Sequence, residues 1–168
     1  MSAPAGDFDD FVRAYTPTLL RTAYLLTGDQ HHAEDLVQSA LARAHRSWHR
    51  IDDSPFGYVR RTMYHLQVAT WRRRRIREWL GSTTTEPIPE PDVATAADIR
   101  LTLQKALSQL TDKQRAVVVL RFYEDRSVED TATVLRCSTG TVKSQTAKAL
   151  AKLRQLMPSM AGLLEGRL

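Results

Sequence analysis

The sequence predicts an all-α protein of two small helical domains joined by an extended linker. Three observations carry that prediction. Apolar residues recur every three or four positions over most of residues 8–70 and 96–157, the spacing of one helix face. No stretch alternates apolar and polar residues as a half-buried strand would. Between the two periodic regions, residues 82–94 read STTTEPIPEPDVA, with three prolines and three threonines and no period, which is the composition of a stiff, extended connector.

The elements follow in order. Phe8, Phe11, Val12, Tyr15, Leu19, Ala23 and Leu26 form the stripe of a first helix. Gly28 suits its C-cap and Asp29 the next N-cap. Ala33, Leu36, Val37, Ala40, Leu41, Ala44 and Trp48 repeat the stripe in a second helix. Pro55 fits the first turn of a third, which is expected to bury Val59, Met63, Leu66 and Thr70 and to run into Arg72–Arg75. Beyond the linker, a helix over roughly 96–109 carries Ile99, Leu103, Ala106, Leu107 and Leu110 on one stripe. Thr111 and Gln114 are spaced as a capping box, followed by the apolar Ala116, Val117, Val119 and Leu120. Ser127 and Asp130 make a second box, opening a short helix to Leu135. The turn Arg136-Cys137-Ser138 then leads into a long helix from about Thr139 to Met157. A short helix, a tight turn and a longer basic helix make a helix-turn-helix.

Composition narrows the chemistry. The chain of 168 residues (19.0 kDa) is 26% charged and 42% hydrophobic, a soluble globular balance. No apolar run approaches the ~20 residues of a spanning helix, and the acidic segment Met1–Asp10 does not read as a signal peptide. The lone Cys137 excludes an internal disulfide and suits a reducing cytoplasm. The seven glycines form neither GxxxxGK nor GxGxxG, which speaks against nucleotide hydrolases and dinucleotide enzymes. Net charge is +5, distributed as +3 over residues 1–80, −3 over 81–97 and +5 over 98–168. Two basic lobes flanking an acidic strip favour a polyanionic partner.

Two surfaces fit nucleic acid. On the last helix, Val142, Ala149, Leu150 and Leu153 can face a core, leaving Thr139, Thr141, Lys143, Ser144, Gln145 and Lys148 outward. Hydrogen-bonding and cationic side chains on the first turns are what a major-groove reading helix needs. On the third helix, Arg60, Tyr64, Gln67 and Trp71 fall on a face opposite the Val59/Met63/Leu66 stripe, with Arg61, His65, Arg72 and Arg73 around them. Aromatic rings among cations suit stacked single-stranded bases; the competing reading makes Tyr64 and Trp71 packing residues. His45 and His49, at i and i+4, are the one histidine pair that could share a helix face, but HRSWH lacks the glutamate of HExxH and no third ligand is evident. No GxSxG or similar context activates a nucleophile. Cys137 reads as a small packing residue.

The motifs occur in a telling order. Ala33-Glu34-Asp35-Leu36-Val37-Gln38 comes first, then Tyr58-Val59-Arg60-Arg61 leading to the arginine cluster. Leu110-Thr111 with Gln114-Arg115, and Gly140-Thr141-Val142-Lys143-Ser144, follow. In that order and spacing, the chain resembles the extracytoplasmic-function sigma factors of bacterial RNA polymerase over about residues 7–157, with motif wording similar to the actinobacterial sigma-E-like subgroup. The resemblance implies a promoter-specificity factor without catalytic activity or cofactor. Such a factor binds core polymerase and directs initiation at a subset of stress- or development-related promoters. It implies sigma domain 2 over residues 1–80, an acidic linker over 81–95 and sigma domain 4 over 96–168. Glu34, Asp35, Leu36 and Gln38 would then dock on the clamp helices of the largest polymerase subunit, with the flap of the second-largest subunit as a further contact. The third helix would take the start-proximal promoter element in single-stranded form and the last helix the distal element as duplex. The linker would thread through the polymerase, ~15 extended residues reaching about 50 Å. An anti-sigma factor is a partner class the resemblance leaves open; a membrane is not implied. The chain departs from the family pattern at His65, Ala69, Thr131, Arg136 and Gln145, positions often occupied by Asn, Asp, Ile, Gly and Arg; these bear on which bases are preferred and how phosphates are held. An autonomous helix-turn-helix regulator is the alternative reading and lacks a use for the AEDLVQ helix. A metal-dependent enzyme would rest on His45 and His49 alone.

Overall fold

The computed structural model describes residues 7–52, 54–81 and 96–158, and of residues 96–100 the backbone alone. The described residues contain helices and no strand. Seven α-helices run α1 (Phe8–Thr27), α2 (Gln30–Arg46), α3 (Pro55–Trp79), α4 (Ala96–Ser108), α5 (Asp112–Val118), α6 (Val128–Leu135) and α7 (Thr139–Leu156). A short 3₁₀ turn covers Trp48–Arg50, and a single π-helical turn covers Val119–Tyr123. The chain divides into two compact units between Arg72 and Arg73, inside α3.

In the first unit α1 and α2 pack antiparallel, because only Gly28 and Asp29 separate them. Gly28 takes the left-handed conformation (φ 71°) that ends α1, its N–H donating to Tyr24 O at 2.8 Å. Asp29 then caps α2 by accepting from His32 N at 2.8 Å. Gly bears that conformation without the Cβ clash other residues would meet. Ala23 of α1 and Ala33, Ala40 and Ala44 of α2 are fully or almost fully buried. Small side chains let the helices approach closely, while Leu19, Leu36, Val37, Leu41, Val59 and Met63 fill the space around them. Phe8, Phe11, Tyr15, Trp48 and Phe56 close one end as edge and tilted ring pairs at 4.9–5.1 Å. Trp48 belongs to this cluster from the 3₁₀ turn rather than from α2, which ends at Arg46. Pro17 sits on the exposed side of α1, and the helix continues through it; packing against α2 outweighs the lost backbone bond.

α3 starts at a Ser54 cap, whose hydroxyl accepts from Gly57 N at 3.1 Å, with Pro55 in the first turn as the sequence predicts. Its buried seam differs from the predicted one. Val59, Met63, Tyr64, Gln67 and Trp71 are buried, whereas Leu66 and Thr70 are half-buried. The seam advances by four-residue steps from Val59 through Met63 and Gln67 to Trp71, and the alternative path through Leu66 and Thr70 lies one residue off it.

The second unit is built on capping. Thr111 Oγ1 accepts from Gln114 N at 3.3 Å, and Gln114 Oε1 accepts from Thr111 N at 3.1 Å, the complete box the sequence predicts. Ser127 Oγ accepts from Asp130 N at 2.9 Å. Among the described residues the reciprocal bond from Asp130 is not made, since aspartate is one methylene shorter than the Glu that returns it. The end of α4 is held by donors from outside it: Arg115 Nε to Leu107 O at 2.9 Å, and Lys152 Nζ to Gln109 O. Val117, Ala132 and Val142 pack at the centre of the helix-turn-helix, with Val128, Leu135 and Cys137 against them. Ala149, Leu150, Leu153 and Met157 bury the rest of the α7 stripe. Thr131, at the position where Ile is frequent, is wholly buried and donates its hydroxyl to Ser127 O at 2.8 Å. Its polar atom is thus satisfied inside its own helix. The linker predicted over 81–95 (Gly81 excepted), the Ile99 side chain and the tail after Pro158 lie outside the described residues.

The capping box gives a first test. Thr111→Ala should lower stability by about 1 kcal/mol, read as a lower urea midpoint at unchanged slope. Gln114→Ala, which leaves the forward bond intact, should cost less. Equal midpoints for both variants and the parent would mean the box does not form in solution.

Candidate nucleic-acid interface and docking face

The start of α7 is fixed by Ser138, which precedes it in extended conformation. Its Oγ accepts from Thr141 N at 3.1 Å and lies 2.9 Å from Thr141 Oγ1. Ser144 donates to Thr141 O at 3.0 Å. Burial of Val142 turns one side of the helix inward, leaving Thr139, Lys143, Ser144 and Lys148 exposed. Thr141 and Gln145 are half-buried, and the Thr141 hydroxyl is engaged with the cap. Of the six reading residues expected from the sequence, four therefore stand fully outward and two at the edge of that face. Gly140 is exposed too, and a Cβ there would meet only Ser138 Oγ, at 3.7 Å, so packing does not require this glycine. Cys137 sits in the turn, half-buried against the core as expected of a packing residue. Burial pushes its thiol pKa up, with the Lys113 charge acting in the opposite direction.

The third-helix surface needs correction. Tyr64, Gln67 and Trp71 are 1%, 7% and 5% exposed, so they do not form the stacking face read from the sequence. Their polar and aromatic character disguised a buried seam. Arg60 is half-buried with its guanidinium 5.2 Å from the Phe56 ring centroid, a cation–π contact within the protein. His65 is half-buried. What α3 does present is positive charge: Arg61, Arg72 and Arg73 are exposed as expected, as are Arg74, Arg75 and Arg77. An aromatic does stand exposed beside that run, but it is Trp79, 85% accessible, together with Ile76 and Leu80. The i, i+3, i+4 spacing of Ile76, Trp79 and Leu80 is the signal that marks them in the sequence.

On α2, Glu34, Asp35 and Gln38 are exposed, with Gln30 Nε2 donating to Glu34 Oε1 at 2.6 Å. Leu36, grouped with them from the motif, is 7% exposed and part of the core, so it supports this face from beneath rather than forming it. The histidine pair is not on one helix. His45 lies in the last turn of α2 and packs edge-on against Phe8 at 4.8 Å, while His49 lies in the following 3₁₀ turn. Among the described residues no group of three His, Cys, Asp or Glu side chains is placed to hold a metal, and no helix is long and apolar enough to cross a membrane.

Residues 11–77 match Sigma-70 region 2 and residues 106–155 match Sigma-70 region 4. The RNA polymerase sigma-E factor of Streptomyces coelicolor is 40% identical over 154 residues, covering 89% of this chain and 85% of that protein. The ECF RNA polymerase sigma factor SigL of Mycobacterium tuberculosis is 35% identical over 146 residues, 83% of this chain and 82% of its own length. Among solved structures, the sigma factor RpoE of Bartonella quintana, crystallised with the anti-sigma factor NepR, shares the fold at a TM-score of 0.70 and 24% identity over 90% of this chain and 97% of that one.

A helix-turn-helix with a polar reading helix, in one chain with a helical unit of arginine-rich surface, defines a DNA-directed transcription protein. The chain belongs to the extracytoplasmic-function sigma factors, which carry sigma regions 2 and 4 and direct RNA polymerase to promoters.

The burial of Trp71 is directly testable. Trp71→Ala should lower stability by about 3–5 kcal/mol, the range for truncating a buried large aromatic, seen as an earlier thermal unfolding midpoint. An unchanged midpoint with impaired promoter melting, read by permanganate footprinting, would restore the stacking role.

Proposed function

We propose that residues 1–80 dock on core polymerase and open the start-proximal promoter element, and that residues 81–95 connect this unit to residues 96–168, which read the distal element as duplex. The observation that carries the reading is α7: a helix capped by Ser138, rotated by the burial of Val142, with Thr139, Lys143, Ser144 and Lys148 exposed along its first three turns. That is the geometry in which a helix end enters the major groove. The side-chain-free surface at Gly140 fits close approach of the helix backbone to DNA.

Docking falls to Glu34, Asp35 and Gln38, exposed on α2 and held in phase by the buried Ala33, Leu36, Val37 and Ala40. Their carboxylates suit basic groups on the clamp helices of the largest polymerase subunit. The exposed arginines of α3 suit the phosphates of the promoter, and their number makes the interaction steeply salt-dependent. The protein carries no catalytic activity of its own and works in the cytoplasm, where core polymerase and DNA are. An anti-sigma factor is a compatible regulator, as the Bartonella quintana sigma factor that shares this fold was crystallised with one. Mixing the purified protein with core polymerase and sequencing run-off start sites tests the whole reading. Start sites sharing two spaced elements are expected, and no change from core polymerase alone would sink it.

Two predictions separate the interfaces. Reversing Glu34 and Asp35 to Lys should abolish retention of core polymerase in a pull-down while circular dichroism stays unchanged, because neither carboxylate is buried. Retained binding would remove the docking face. For the reading helix, a lost base contact costs about 1–3 kcal/mol at one position, whereas a lost phosphate contact weakens all sequences alike. Gln145→Ala should therefore reorder affinities for single-base variants of the distal element, and Lys148→Ala should weaken all of them equally. If Gln145→Ala leaves that ranking intact, sequence reading passes to Thr139, Thr141 or Lys143.

A further inference from the structure

Two non-glycine residues among those described have positive φ, Asp125 (53°) and Arg136 (52°). Asp125 is unexceptional, because its short side chain makes the left-handed region accessible. Arg136 has no such excuse. It occupies φ 52°, ψ 50° at the C-cap of α6, where its N–H closes the helix by donating to the Ala132 and Thr133 carbonyls. Glycine would close the helix equally well without the Cβ penalty. The side chain gains nothing locally to offset it: Arg136 is exposed, and among the described residues its guanidinium has no hydrogen-bond or ion-pair partner. A costly backbone conformation kept at an exposed turn, with no local gain, points to a role outside the fold.

The position says which role. Arg136 stands two residues before the Ser138 cap, at the entrance to the reading helix, and the exposed Thr139 and Lys143 follow on its first turns. Lys113, exposed near the start of α5, is near enough to this same turn for its charge to act on the Cys137 thiol. Three cations thus come from α5, the turn and α7, that is, from the helix-turn-helix and the helix packed against it. A guanidinium offers the planar donor pair that matches phosphate oxygens.

We infer that Arg136 is a DNA-backbone contact, a guanidinium that grips a phosphate of the duplex where the reading helix enters the groove, at a standing cost to the stability of its own turn. This rests on the reading of α7 as the duplex-binding helix. It adds a binding residue that carries no sequence information and opposes stability to affinity at one position.

The opposition makes the test sharp. Arg136→Gly in the full-length chain should raise the thermal midpoint by a few degrees and yet weaken binding to duplex promoter DNA. The slope of log affinity against log salt should become shallower by about 0.9, the loss of one phosphate. The ranking of single-base variants should stay as in the parent. Arg136→Lys, which keeps the charge and the backbone strain, should keep the parental slope. Arg136→Gly with unchanged affinity and slope overturns the inference, as does Arg136→Lys behaving like the glycine variant. Duplex binding by the parent without any sequence preference would instead fail the reading of α7, and the slope difference would still decide the role of Arg136.

Discussion

Val142 is wholly buried beside Val117 of α5 and Ala132 of α6, and the outward face of α7 depends on that contact. Successive helix residues are rotated by about 100° around the axis, so pinning one of them leaves the others no freedom. With Val142 inward, Lys143 and Ser144 must turn outward, Thr146 returns toward the core edge, and Ala149 and Leu150 resume the seam. The chemistry of the exposed face is thus specified by an apolar residue that is itself wholly buried. Ser138 fixes the other coordinate, the point along the axis at which the helix begins, and leaves its first turn open to a partner.

Much of this is legible in the sequence because it depends on local rules. The Gly28–Asp29 reversal, the Thr111–Gln114 box, the Ser138 start and the Val142/Ala149/Leu150/Leu153 stripe are each written within a few residues, and each is present. Where the sequence misleads, the cause is a buried residue of polar type. On α3 two seams compete, one through Leu66 and Thr70 and one through Gln67 and Trp71. Hydrophobicity favours the first, while packing takes the second. Tyr64 and Trp71 amid arginines look like a nucleic-acid surface, but an aromatic ring serves a core as readily as a base stack. Leu36 is misplaced for the opposite reason: a motif groups neighbours in sequence, whereas a helix sends consecutive residues to different faces.

The π-helical turn at Val119–Tyr123 has no signal in the sequence. Glu124 N donates to Val119 O at 3.0 Å and Arg126 N to Leu120 O at 2.9 Å, so the extra residue is absorbed before the chain reaches the Ser127 cap. Arg121, in the middle of the turn, donates to the Arg126 carbonyl in the segment that follows it. Such turns arise where a helix must re-phase to meet the next element, and that demand is set by the partner helices rather than by the five residues themselves.

The brevity of the α1–α2 reversal has a consequence for how this chain can vary. Gly28 and Asp29 leave no slack, so the rotation of α2 is slaved to that of α1. One residue inserted there would turn α2 by about 100°. Asp35 would take the buried place of Leu36, His32 that of Ala33 and Ser39 that of Ala40, while Ala33 would turn out into water. Substitution at Glu34, Asp35 or Gln38 therefore changes the α2 face and keeps its phase, whereas a length change at this corner does not keep it. Insertions would have to accumulate elsewhere, in segments whose phase no helix inherits.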